Sequence, residues 1–146
     1  MATNKLRIEV IPPSSRLAVY QLNGSRWWFV IDDYVLTMFI NGVLTTFFIP
    51  SGYRYDRATI WWQGFITKDH LGCVGPLIHD VLCTYKGNIP NVAIASESID
   101  TAHISPWRSF TRPEADDIFY AVMLSDKVVP WRAFVAHKAV KVGSNW

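Results

Sequence analysis

The chain has 146 residues, of which 50% are hydrophobic and 18% are charged. That suits one domain around one core and excludes a disordered chain. A net charge of +2, with scattered basic residues and no lysine/arginine block, excludes a nucleic-acid partner held by charge.

Cys73 and Cys83 form neither a metal-type pair nor a disulfide framework, which fits a reducing compartment. The opening segment MATNKLRIEV lacks an apolar signal core, so no signal peptide is expected. No run of about 18 apolar residues occurs, so no membrane span is expected either. Seven tryptophans make the core, or some binding surface, unusually aromatic.

In chain order, the first half reads as strands. LRIEVI (6–11) and LAVYQL (17–22) are short apolar or alternating runs separated by the loop signal PPSS. RWWFVI (26–31) follows the turn residues Asn23-Gly24-Ser25. YVLTMFI (34–40) and VLTTFFI (43–49) flank Asn41-Gly42, the dipeptide that favours a type I′ turn, and are expected to pair antiparallel. Pro50 and Gly52 end that hairpin.

Helical patterning then takes over. Pro76 suits the first turn of a helix running to about Tyr85. Thr111-Arg112-Pro113-Glu114 matches a capping box and opens a helix to about Leu124. Pro130 opens a third, to about Val142, with Gly143 as its stop. Strands first and helices afterwards predict an α+β fold, with about three helices on one face of an antiparallel sheet. The domain is single, 1–146. Its segment 87–110 reads as a long loop, part of which Trp107 and Phe110 are expected to dock, either on its own domain or, as an arm, on a partner.

Helical wheels single out polar residues. Leu77, Ile78, Val81, Leu82 and Tyr85 make one apolar stripe, and His79 and Asp80 fall on its opposite flanks. On the next helix, Asp117 points away from the apolar face, whereas Asp116 lies beside Phe119 and Met123 at the edge of the buried stripe. An ionised carboxylate there must be paired or hydrogen-bonded. His79, Arg57, His137 or a metal ion are candidates to meet it. Asp56 and Arg57 follow the Pro/Gly turn, in the kind of sheet-held loop that often carries site residues.

These residues admit different chemistries. Carboxylates with imidazole suit zinc or manganese, or a histidine–aspartate general base. The bland reading is a buried hydrogen-bonded network that fixes two helices. Cys83, one turn from His79, reads as a small buried hydrophobe rather than a nucleophile. The order His70, His79-Asp80, Asp116 copies the ligand pattern of helical metal-dependent phosphohydrolases only superficially, because the strand-rich first half is wrong for that fold. In Trp27-Trp28-Phe29 and Trp61-Trp62, neighbouring side chains of a strand point to opposite faces. One tryptophan of each pair therefore needs a cover, which hints at an interface.

Four blocks together resemble a known family. IPSGYRYDRATIWW is similar to the I-P-x-G-F-x-T-D-x-A-S-x-P segment of small bacterial and phage proteins catalogued as a domain of unknown function, number thirteen fifty-three. LIHDVLCTY resembles its A-x-x-H-D-x-L-Y helix, RPEADDIFYAVM its R-x-x-A-D-x-x-F-x-x-x-M helix, and WRAFVAHKAVKVGSNW its closing stretch. The blocks keep the family order over about 26–146. Tyr55 departs from the pattern's threonine, Thr59 keeps the hydroxyl of its serine, and 87–110 is longer than usual.

The resemblance puts the family's polar set on Asp56, His79, Asp80 and Asp116. It also implies a phage or prophage origin, without an established activity. The expected function is a virion or tail-assembly protein, made in the host cytoplasm and then carried in the virion. Its partners would be other phage structural proteins or further copies of itself, its His/Asp cluster would be structural, and no cofactor is expected. The alternative is a metal-dependent hydrolase in which Asp56, His79, Asp80 and Asp116 hold a divalent metal or supply a base.

Overall fold

The computed structural model describes residues 6–13, 17–21, 27–56, 74–91, 101–126 and 130–143; the side chains of Gln21, Trp27, Asp56 and 139–143 are not among those described. The fold is α+β. Its strands are β1 (Ile8–Ile11), β2 (Val19–Gln21), β3 (Trp27–Val30), β4 (Tyr34–Ile40), β5 (Val43–Ile49), β6 (Arg54–Asp56) and β7 (His103–Ser105). Its helices are α1 (Val74–Thr84), α2 (Arg112–Ser125) and α3 (Pro130–Gly143).

The β4–β5 hairpin forms as its turn residues require. Asn41 and Gly42 have φ of 51° and 81°, the left-handed pair of a type I′ turn. Cross-strand partners run from Ile40↔Val43 to Tyr34↔Ile49. Alternation then sorts the residues by face. Tyr34, Leu36, Met38 and Ile40 are buried with Phe47 and Ile49, while Val35, Phe39 and Leu44 face solvent.

The strands divide into two sheets rather than the one expected, and each pairing is antiparallel. A four-stranded sheet has the order β1-β4-β5-β7, and a three-stranded sheet the order β2-β3-β6. The division has a local cause. The β3–β6 pairs, such as Trp28↔Tyr55, continue the same register as β4–β5, so these four strands are one long hairpin interrupted at 31–33 and 50–52. Pro50 has no amide to donate there, and Gly52 turns the chain with φ of 89°. The Ser51 amide is capped by Asp33 Oδ1 at 2.7 Å, and the ladder resumes where the Val30 amide donates to the Tyr53 carbonyl at 2.9 Å.

Helices α1 and α2 cover the inner face, while α3 packs against α2. Leu77, Ile78, Val81 and Leu82 of α1 join Ala115, Ile118 and Val122 of α2 and the inward strand residues in one core. The α2 cap is the predicted box: Thr111 accepts from the Glu114 amide, and the Glu114 side chain accepts from the Thr111 amide. Gly75 lets the two helices approach, since a Cβ there would lie 2.7 Å from Met123 Cγ.

The segment 87–110 is less of a loop than its sequence suggests. It supplies β7, and Ile89, Ala102, Ile104 and Phe110 are buried. Phe110 docks as expected, its ring 6.1 Å from that of Phe47. Trp107 does not, and is 50% exposed.

At Gly42 a Cβ would meet no atom within 4 Å, so Gly42→Ala costs only the left-handed backbone strain, about 1 kcal/mol. Urea unfolding is expected to show a lower midpoint with an unchanged slope.

Candidate functional site

Two adjacent residues of α1 hold that helix on both sides. His79 turns toward α2 and Asp80 toward the chain that follows the hairpin. His79 Nε2 lies 3.0 Å from Asp116 Oδ1, and their residues are 5% and 2% exposed. The same oxygen accepts from Arg112 Nε at 3.0 Å. An ionised carboxylate only accepts, so the imidazole Nε2 carries the hydrogen. Burial by itself would raise the Asp116 pKa. The His79 hydrogen bond and the Arg112 charge outweigh it and hold the carboxyl below its ordinary value.

On the other flank, the Tyr53 hydroxyl donates to Asp80 Oδ2 at 3.2 Å, and Thr84 Oγ1 donates to the same oxygen at 3.4 Å. Burial, reinforced by the Asp80 charge, pushes the Tyr53 phenol well above its usual pKa. It therefore stays a protonated donor.

Cys83 sits beside His79, but the geometry is wrong for proton transfer. Its sulfur is 3.7 Å from Nδ1 and 3.9 Å from Nε2. A thiol aligned with the Nδ1 lone pair would be much farther from Nε2, so the sulfur does not approach along that lone pair. Burial pushes the thiol pKa up to about 11, against a smaller lowering by Arg112. At neutral pH it is protonated, the opposite of an activated nucleophile.

Of the predicted site residues, the structure brings His79 and Asp116 together and places Asp80 with Tyr53 and Thr84. The side chain of Asp56 lies outside the described residues, as do Arg57, His70, Cys73, Trp61 and Trp62; the Asp56 backbone pairs with Trp27. His137 does not meet Asp116. Its Nε2 lies 3.4 Å from Asp117 Oδ1, so Asp117 is a partner of α3 rather than a plain surface acid. Among the described residues, no group of three or more His, Cys, Asp or Glu side chains is arranged to hold a metal ion.

Sequence reasoning missed Arg112, Tyr53 and Thr84. Arg112–Asp116 and Asp80–Thr84 are both i,i+4 pairs, a spacing that could have found them. Tyr53 had no such signal.

The profile of a family described as "Protein of unknown function (DUF1353)" matches residues 28–140. The chain belongs to the DUF1353 family. No curated protein and no solved structure matches it. The DUF1353 match spans His79, Asp80, Arg112 and Asp116 and leaves β1 and β2 outside.

Because folding lowers the Asp116 pKa, its stabilisation is complete above the unfolded value near 3.8 and is lost as pH falls through the folded value. Asp116→Asn strands His79 and Arg112 beside a neutral amide, at a cost of about 3 kcal/mol at neutral pH. Denaturant titrations at several pH values should also show a flatter acid limb for that variant. Cys83 should react with an alkylating reagent at pH 7 far more slowly than in the unfolded chain, as read by mass spectrometry on a Cys73→Ser background.

Proposed function

We propose that this DUF1353 chain is a non-enzymatic assembly protein, acting in a phage virion or tail, that contacts other structural subunits through the outer face of its four-stranded sheet. One observation carries the reading. Phe39 and Leu44 are direct cross-strand partners and both face solvent, with Leu44 50% exposed, and Val35 is exposed farther along the same face. Phe48, opposite Val35, stacks on His103 with ring centroids 5.9 Å apart. Two apolar pairs on one sheet face, with the Thr37–Thr46 pair between them, offer apolar area to another protein.

The polar cluster suits a structural part in such a protein. His79 and Asp116 are closed in and use their hydrogen bonds on each other and on Arg112, so the network's work is to hold α1 and α2 in place. The phage setting rests on the provenance that the family resemblance implies. Production in the host cytoplasm followed by incorporation into particles belongs to the same reading.

The test is co-sedimentation with purified phage particles. The native chain should be found with them, and Leu44→Asp should be lost from them while its unfolding free energy stays within about 0.5 kcal/mol of the parent. A native chain absent from particles would overturn the reading, and stoichiometric divalent metal in the purified protein would favour the hydrolase instead.

A further inference from the structure

The four-stranded sheet ends in an edge that matches itself. β1 is its terminal strand, bonded to β4 through alternate residues. The Asn41 amide donates to the Arg7 carbonyl at 2.8 Å, and the Arg7 amide donates to Asn41 Oδ1 at 2.9 Å. By the alternation of an antiparallel ladder, the amides and carbonyls of Ile8 and Val10 then point to the open side. No described residue pairs with them there. Such an edge is a template for another strand.

Charge selects which strand. Arg7 and Glu9 are both exposed, and neither has an ion-pair partner among the described residues. We propose that the β1 edge pairs antiparallel with β1 of a second copy of this chain, about a two-fold axis at Ile8, so that Arg7 of each copy faces Glu9 of the other.

In this register Ile8 opposes Ile8 and exchanges both backbone bonds with it, which uses the outward amides, and Val10 opposes Leu6. The self-complementary contact is what a two-fold requires. Centring the axis on Val10 would place Glu9 against Ile11 and form no ion pair. Centring it on Leu6 would no longer set Arg7 opposite Glu9. An open groove of about 500 Å³, lined by Arg7, Ile8, Glu9, Phe39 and Gly42, runs beside the strand. The resulting dimer would carry one continuous eight-stranded sheet.

This inference rests on the assembly reading and names a second copy as the first partner. The experiment is sedimentation equilibrium of the full chain and four variants. The native chain should be dimeric. Glu9→Arg or Arg7→Glu should weaken the dimer by roughly tenfold or more, since two attractive pairs become repulsive. The double exchange, Arg7→Glu with Glu9→Arg, should restore it. Ile8→Pro should abolish it with an unchanged circular dichroism spectrum, because the amide it removes takes no part in the β1–β4 ladder.

A native chain monomeric at every concentration overturns the proposal, and so does a dimer insensitive to Glu9→Arg and Ile8→Pro. A monomer that still sediments with particles defeats the self-pairing alone. A dimer absent from particles defeats the assembly reading alone.

Discussion

A single buried carboxylate oxygen sets how the two central helices of this protein sit together. Asp116 Oδ1 takes hydrogen bonds from His79 on α1 and from Arg112 one turn back on α2. Leaving an ionised carboxylate bare in that position would cost several kcal/mol, so the helices are bound to the one arrangement in which the imidazole reaches it. Close packing follows. Gly75 meets Met123 and Phe119 where a larger residue would collide, and the His79 ring lies 4.9 Å from that of Phe119.

Adjacent polar residues on a short apolar helix look redundant until their directions are known. Successive residues of a helix are about 100° apart, so His79 and Asp80 can grip two different neighbours across the apolar stripe between them. His79 ties α1 to α2, and Asp80 ties it to Tyr53, just past the interruption in the long hairpin. The site therefore spans the joint between helices and sheets. Cys83, within reach of His79, is a protonated thiol in this setting, which is why Cys83, His79 and Asp116 do not add up to a nucleophile with its base.

The surface tells a different story from the interior. Inward positions of β4 and β5 go into the core with α1 and α2, yet several outward positions are also apolar. Helix α3 repeats this, for Trp131, Phe134 and Val135 are exposed at a spacing that puts them on one stripe. The buried carboxylate is thus paired in the interior, while apolar side chains on the outer sheet face and on α3 are left in water.

What the sequence alone determined is local. Asn41-Gly42 dictated the hairpin and its register, Thr111 and Glu114 the start of α2, and the apolar periodicity the three helices and the inward turn of Asp116. Family membership was legible as well, because it lies in residue patterns. Tertiary structure decided the rest. It joined His79 to Asp116, sent His137 to Asp117, gave Asp80 to Tyr53 and recovered β7 from an apparent loop. Those outcomes depend on which distant segments meet. Periodicity tells which way a side chain points from its own helix or strand, and nothing in it specifies what will be waiting there.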